Sequence, residues 1–362
     1  MSRATLYRLG RLPLALALLA LNLATFSTAQ AAPITIPDGD VAALLAALET
    51  ADTVVLAAHG TYTLSSPDEA LAIDHDVVIQ GNGATIQESV ADPGNTFDIL
   101  SVPASTALRL DHLTILGGLN GIVSNGMLMV TESTIAGNVF DGIGNDGGTL
   151  VVRGSTISDN EEGIGVRSNF VLRGRTTVVN STIANNRGYG VGILNTYCDL
   201  SCHFPFPFDG PAPASSGECQ RLVTAPHVTF TNVTIANNAL IGVLFDDCTA
   251  AHMQNTIIAG NAAGVVDCKF WGRTILVGGN NLVSSPTCGS VADVGDPLLA
   301  TAGLQDNGGP TLTIALQAGS PAIDHGTDFV CRWVAGGVDQ RGVTRPQGPH
   351  CDIGAFELAA GG

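Results

Sequence analysis

The sequence predicts an all-β fold: a right-handed parallel β-helix, built as a three-sheet solenoid with a short N-terminal capping helix. Three observations predict it. A motif of about two dozen residues recurs through the middle of the chain, and an asparagine returns at one fixed place within it. The composition, with 44 glycines, 13% charged and 5% aromatic residues in 362, favours short strands and tight turns over helices.

Taken in order, residues 1–31 read as a signal peptide. Arg3, Arg8 and Arg11 precede the apolar run Leu12 to Ala24, and Ala29-Gln30-Ala31 has the small-x-small form of a cleavage site. Its removal takes three arginines and no acids, moving the formal charge from −17 to −20. So acidic a chain is a poor partner for nucleic acid. No later segment has the length and apolarity of a membrane span, and release to periplasm or medium, as a monomer, is expected.

Residues 32–105 form the N-terminal cap and first coils, with a capping helix over Val41 to Leu48. The strands Thr53–Leu56, Gly60–Leu64 and Val77–Ile86 follow it. The regular coils occupy 106–278. They read Leu128-x-Val130, Ser133-Thr134-Ile135, Asn138, Gly142-Ile143, and again Leu150-x-Val152, Ser155-Thr156-Ile157, Asn160, Gly163-Ile164. Each coil therefore offers three short strands, every one pairing with its equivalent in the next coil at about 4.8 Å per rung. Asn138, Asn160, Asn186, Asn238 and Asn261 share one tight turn, where stacked amides satisfy neighbouring backbones. The sequons at Asn180 and Asn232 fall inside the repeat and read as part of it.

These coils resemble the pectin-lyase-like right-handed β-helix superfamily, whose second turn often carries such a ladder. The last part of the chain, 279–358, is predicted to add further coils. There Gly279-Asn-Asn-Leu282, Leu304-Gln-Asp-Asn-Gly-Gly-Pro-Thr311, Gly319-Ser-Pro-Ala-Ile-Asp324, Asp339-Gln-Arg-Gly342 and Cys351-Asp-Ile-Gly-Ala-Phe-Glu357 together resemble the choice-of-anchor Q domain of bacterial surface and secreted β-helix proteins. Sorting anchors generally follow that domain. This sequence runs only five residues past Glu357, which favours release.

All eight cysteines follow residue 197, a pattern that in an exported chain points to disulfides. Cys268 and Cys288 are 20 residues apart, as are Cys331 and Cys351, about one coil. Both pairs are expected to bridge neighbouring rungs. Cys198, Cys202 and Cys219 lie in an insertion at 197–226 and, with Cys248, have open connectivity; Cys198-x3-Cys202-His203 reads as disulfide rather than zinc chemistry.

Alternation along the first strand points Arg109, Asp111, Met129, Thr131, Val151, Arg153, Arg175, Thr177, His227, Thr229, Thr231 and His252 outward. In carbohydrate-active relatives of the resembled superfamily the substrate groove follows this sheet. That makes Arg153, His227, Thr229 and Thr231 candidate substrate contacts. Asp246, Asp247 and Asp267 end adjacent coils and are candidates for acid/base work or for Ca²⁺, with Arg175 or His252 as partner. The five arginines 153, 167, 173, 175 and 187 form either an anion-binding stripe or pairs with Asp159, Glu161 and Glu162. Two functions follow: a polysaccharide lyase or hydrolase, or a non-catalytic secreted or surface protein that binds polysaccharide. The second is preferred, because no assembled active-site motif is present and fold alone does not specify chemistry.

Overall fold

A computed structural model describes residues 32–89, 96–168, 174–195, 227–246, 249–272 and 274–359. Residues 1–31, expected above to be a signal peptide, the insertion with Cys198, Cys202 and Cys219, and Arg173, Asp247 and Cys248 lie outside the described residues. The chain forms a right-handed parallel β-helix. Helix Val41–Leu48 caps its N-terminal end, with Asp40 Oδ1 accepting from the Ala43 backbone N–H at 2.9 Å. Leu44, Ala47 and Leu48 of this helix are buried against the first rungs, covering apolar surface and a sheet end that would otherwise be open.

Three faces rise from this cap. On the first, strands Ala107–Leu116, Met127–Thr131, Thr149–Arg153, Arg175–Val179, His227–Thr231, Thr249–Gln254 and Thr274–Gly279 pair in parallel register. On the second, Ile115, Ile135, Ile157, Ile183, Ile235 and Ile258 are direct partners on successive rungs, all fully buried. On the third, Ile122, Ile143, Ile164, Val191 and Val243 stack in the same way. Pairing continues across the insertion, Thr177 opposite Thr229 and Val191 opposite Val243, so the inserted residues leave the rung register intact.

The second turn carries the expected amide column. Asn138 Nδ2 donates to Asn160 Oδ1 at 2.7 Å, Asn160 to Asn186 at 3.2 Å, Asn186 to Asn238 at 2.8 Å and Asn238 to Asn261 at 2.9 Å. Each Oδ1 also accepts the backbone N–H of the preceding asparagine, so no amide of this column is orphaned. The glycine opening each third strand has a steric cause. A Cβ on Gly142 would lie 2.7 Å from both Asn160 Nδ2 and the Gly163 carbonyl oxygen.

The C-terminal segment departs from the expected coils. It supplies two more rungs, Asn281–Val283 and Ala292–Val294, and then leaves the solenoid. From about residue 296 it runs back as a strap over the outward side of the second face. Ile314 packs on Ala184 and Ala236, while Leu316, Ala322, Ile353 and Phe356 pack on Ile257, Ala259 and Leu282. The small or apolar outward residues of those rungs need a cover, and the strap provides it.

The motifs of this segment are its fastenings. Gln340 accepts from the Thr182 hydroxyl and donates to Thr156 Oγ1, Thr311 Oγ1 and the Leu312 carbonyl. The backbone N–H of Ala355 donates to Thr234 Oγ1. Arg345, fully buried, lies 3.2 Å from Glu357 and donates to the carbonyls of Asp352 and Gly354. Cys331–Cys351 is a disulfide with Cα atoms 6.6 Å apart, but both halves belong to the strap rather than to neighbouring rungs. Cys268–Cys288, at 4.9 Å between Cα atoms, does join the last regular rungs.

Candidate functional site

The first face brings five of the sequence-selected residues together. Arg175 and His227 are register partners and both exposed; one step along the strands, Thr177, Thr229 and His252 are partners on three successive rungs and half-buried. The alternation that buries Thr176, Val178, Val228 and Phe230 points these side chains outward. Desolvation, with the Arg175 charge behind it, lowers the His227 pKa below the ordinary imidazole range; desolvation alone lowers that of His252. At neutral pH, Arg175 is thus the fixed cation of this strip, with two neutral imidazoles and two hydroxyls beside it.

Two other candidates do not join them. Thr231 is 2% exposed, because it sits where the strand bends into the first turn. Arg153 turns to the strap, its Nη1 donating to the Ala335 carbonyl at 3.1 Å.

The acidic cluster requires a larger correction. The sequence reading aligned Asp246 with Asp267 on adjacent rungs. The register instead pairs Val243 with Cys268, so Asp267 precedes its strand while Asp246 follows the one before. The two lie at opposite ends of the third face, about 13 Å apart along it. Asp267 is fully buried and closes the asparagine ladder: Oδ1 accepts from Asn261 Nδ2 at 3.1 Å, and Oδ2 from the Ser285 N–H at 2.7 Å and the Ser284 hydroxyl at 2.9 Å. Those contacts use the carboxylate in holding the turn and do not fit a Ca²⁺ ligand. Asp246, half-buried, accepts from the Asn195 N–H at 3.3 Å. Among the described residues no three acidic, histidine or cysteine side chains converge as a metal site.

The described arginines of the stripe split between the two expectations: Arg167 and Arg187 pair with acids, whereas Arg153 turns to the strap and Arg175 stays exposed. Arg167 Nη1 lies 2.6 Å from Asp141 and 3.4 Å from Asp146, and its Nη2 3.8 Å from Glu162; Arg187 Nε lies 3.4 Å from Glu161. Sequence reasoning missed Asp141 and Asp146 as partners. Their shared place on the third strand, register-matched to Glu162 and Arg167, was the available signal.

With three stacked faces and an amide ladder at the second turn, the chain is a right-handed parallel β-helix. No family model and no curated protein sequence matches it. Among solved structures it is similar to pectate lyase Pel9A, at 13% identity and a TM-score of 0.43, over 86% of this chain and 90% of that one. It is also similar to the A-module of the Azotobacter vinelandii mannuronan C-5 epimerase AlgE4, at 14% identity and a TM-score of 0.42, over 69% and 86% of the two chains. A third is ORF18 of Geobacillus virus E2, at 13% identity and a TM-score of 0.37, over 79% and 65%. Likenesses at this level concern the fold alone.

Proposed function

We propose that this chain is a secreted or surface-associated, non-catalytic β-helix protein that binds acidic polysaccharide along its first face. The observation that carries the reading is the pairing of exposed Arg175 with exposed His227, flanked by Thr177, Thr229 and His252, on a protein whose formal charge is −17. A cation left in solvent on so acidic a molecule is suited to a carboxylate- or sulfate-bearing chain, and a flat parallel sheet suits an extended polymer. Export is part of the proposal. Two disulfides support it, since such bonds persist in oxidising compartments, and no helix among the described residues is long and apolar enough to cross a membrane. The choice-of-anchor Q resemblance belongs to the same reading, with the strap as its structural content.

The test is electrophoresis of the full chain through native gels containing uronate polymers or neutral polysaccharides, with reducing ends and unsaturated products assayed in parallel. Retardation by uronate polymer without turnover is expected. Replacing both Arg175→Gln and His227→Gln should reduce that retardation at least fivefold while leaving the melting temperature unchanged, both side chains being exposed. Equal migration in every gel would remove the binding reading, and product formation would replace it with the lyase or hydrolase alternative.

A further inference from the structure

The third face holds a trough made by omission. Gly144, Gly165 and Gly192 are register partners on three successive rungs. Glycine weakens a strand interior, so three in register at an outward position mark space that is kept for something. The neighbours show what the space holds. A Cβ on Gly165 would lie 2.8 Å from Asp141 Oδ2 and 3.0 Å from both terminal nitrogens of Arg167; on Gly144, 3.1 Å from Asp141 Oδ2; on Gly192, 3.2 Å from Glu162 Oε2. On the rungs at either end, Val123 and Leu244 take the glycine position and close the trough.

Over this floor Asp141 and Glu162, themselves register partners, are drawn together by Arg167. Asp141 has a side chain only 7% exposed, and Glu162 Oε2 is buried without a hydrogen-bond donor. Phe140, 53% exposed, stands at the rim beside Asn120 and Asp146, and the open cleft measures about 400 Å³. An exposed aromatic wall beside a few fixed, planar polar groups is the usual build of a site for a small amphipathic ligand.

We propose that this trough binds one uncharged sugar ring, with Phe140 against the ring's C–H face and Asn120, Asp146, Glu162 and Arg167 on its hydroxyls. The inference does not rest on the first-face reading, whose ligand is anionic. Asp141, Asp146, Glu161 and Glu162 outnumber Arg167 here, and Arg187 is engaged by Glu161, so a uronate is repelled.

The site is pH-sensitive. Burial, and then the neighbouring Asp141, push the Glu162 pKa up to about 7 against the opposing Arg167 charge. Below that value the carboxyl pair holds a proton and offers both a donor and an acceptor. Above it two adjacent carboxylates repel each other and distort the cluster that also contains Asp146, Glu161 and Arg167, so sugar binding weakens as pH rises through about 7.

The experiment is saturation-transfer NMR and calorimetry on the full chain against uncharged mono- and disaccharides, with glucuronate and glucosamine as charged probes, at pH 6 and pH 8. An uncharged sugar is expected to bind, at least fivefold more tightly at pH 6. Phe140→Ala, at an exposed position where folding is safe, should weaken it at least tenfold, and Gly165→Val should abolish it. Glu162→Gln, which keeps a neutral donor and acceptor, should bind equally at both pH values. Binding of no uncharged sugar, binding of glucosamine alone, or affinity unchanged in Phe140→Ala would each overturn the assignment.

Discussion

Two columns of asparagine stack along this solenoid, and they are chosen for different reasons. At the second turn, Asn138, Asn160, Asn186, Asn238 and Asn261 face inward, and each amide is satisfied by the next until Asp267 ends the series. At the first turn, Asn180, Asn232, Asn255 and Asn280 all have φ between 46° and 54°, the left-handed region that asparagine tolerates better than most residues. Their side chains serve the strap. Asn180 Nδ2 donates to the carbonyls of Ala335 and Val338, Asn255 Oδ1 accepts from the Thr327 N–H, and Asn280 Nδ2 donates to the His325 carbonyl. One column is therefore selected for self-complementary amides, the other for a backbone conformation with the amide left over for docking. The sequons at Asn180 and Asn232 are accounted for by this second role, both residues being buried.

The largest expected effect separates the columns through the strap. Glu357→Ala removes the ion-pair partner of the fully buried Arg345 guanidinium, which should cost about 3 to 5 kcal/mol. Hydrogen exchange should then show loss of protection at the first-turn amides and strap, with ladder amides still protected. Equal loss in both columns would mean that the strap and the solenoid unfold as one unit, and the distinction drawn above would fail.

Next in size is the ladder itself. Asn160→Leu removes both the acceptor for Asn138 and the donor to Asn186 at a fully buried position, for a cost of roughly 1 to 3 kcal/mol. Thermal melts should show the drop, with first-turn exchange unaffected. A melting temperature equal to that of the parent chain would contradict the ladder's structural role.

The ladder was legible in the sequence because it repeats in phase with the strands: Ser-Thr-Ile, Asn and Gly-Ile return together, and period alone aligns them. The capping helix was legible from its compact amphipathic stretch. The strap was not, because its fastenings join residues without period. Gln340 reaches Thr156 and Thr182 across more than 150 positions. Asp267 misled because register, not spacing from the previous aspartate, decides which end of a strand a carboxylate occupies. The trough was half visible: Gly144 and Gly165 each follow the recurring Gly-Ile pair, and only the register with Gly192 makes them a floor.

The smallest effect is the sharpest comparison, since it turns on a sign. At Asn180 the left-handed φ of 46° suits glycine and strains alanine, and Gly154 already occupies the same column with φ of 61°. Asn180→Gly and Asn180→Ala lose the same bonds to Ala335 and Val338, so the alanine variant should be the less stable, by about 1 kcal/mol of backbone strain. At Asn160, which is not left-handed, no such strain arises. Glycine there adds unfolded-state entropy, so Asn160→Gly should be less stable than Asn160→Ala by about 0.5 to 1 kcal/mol. Denaturant unfolding of the four variants measures both differences. If glycine and alanine rank the same way at both sites, backbone conformation is not what selects asparagine at the first turn, and its amide contacts with the strap must carry the whole explanation.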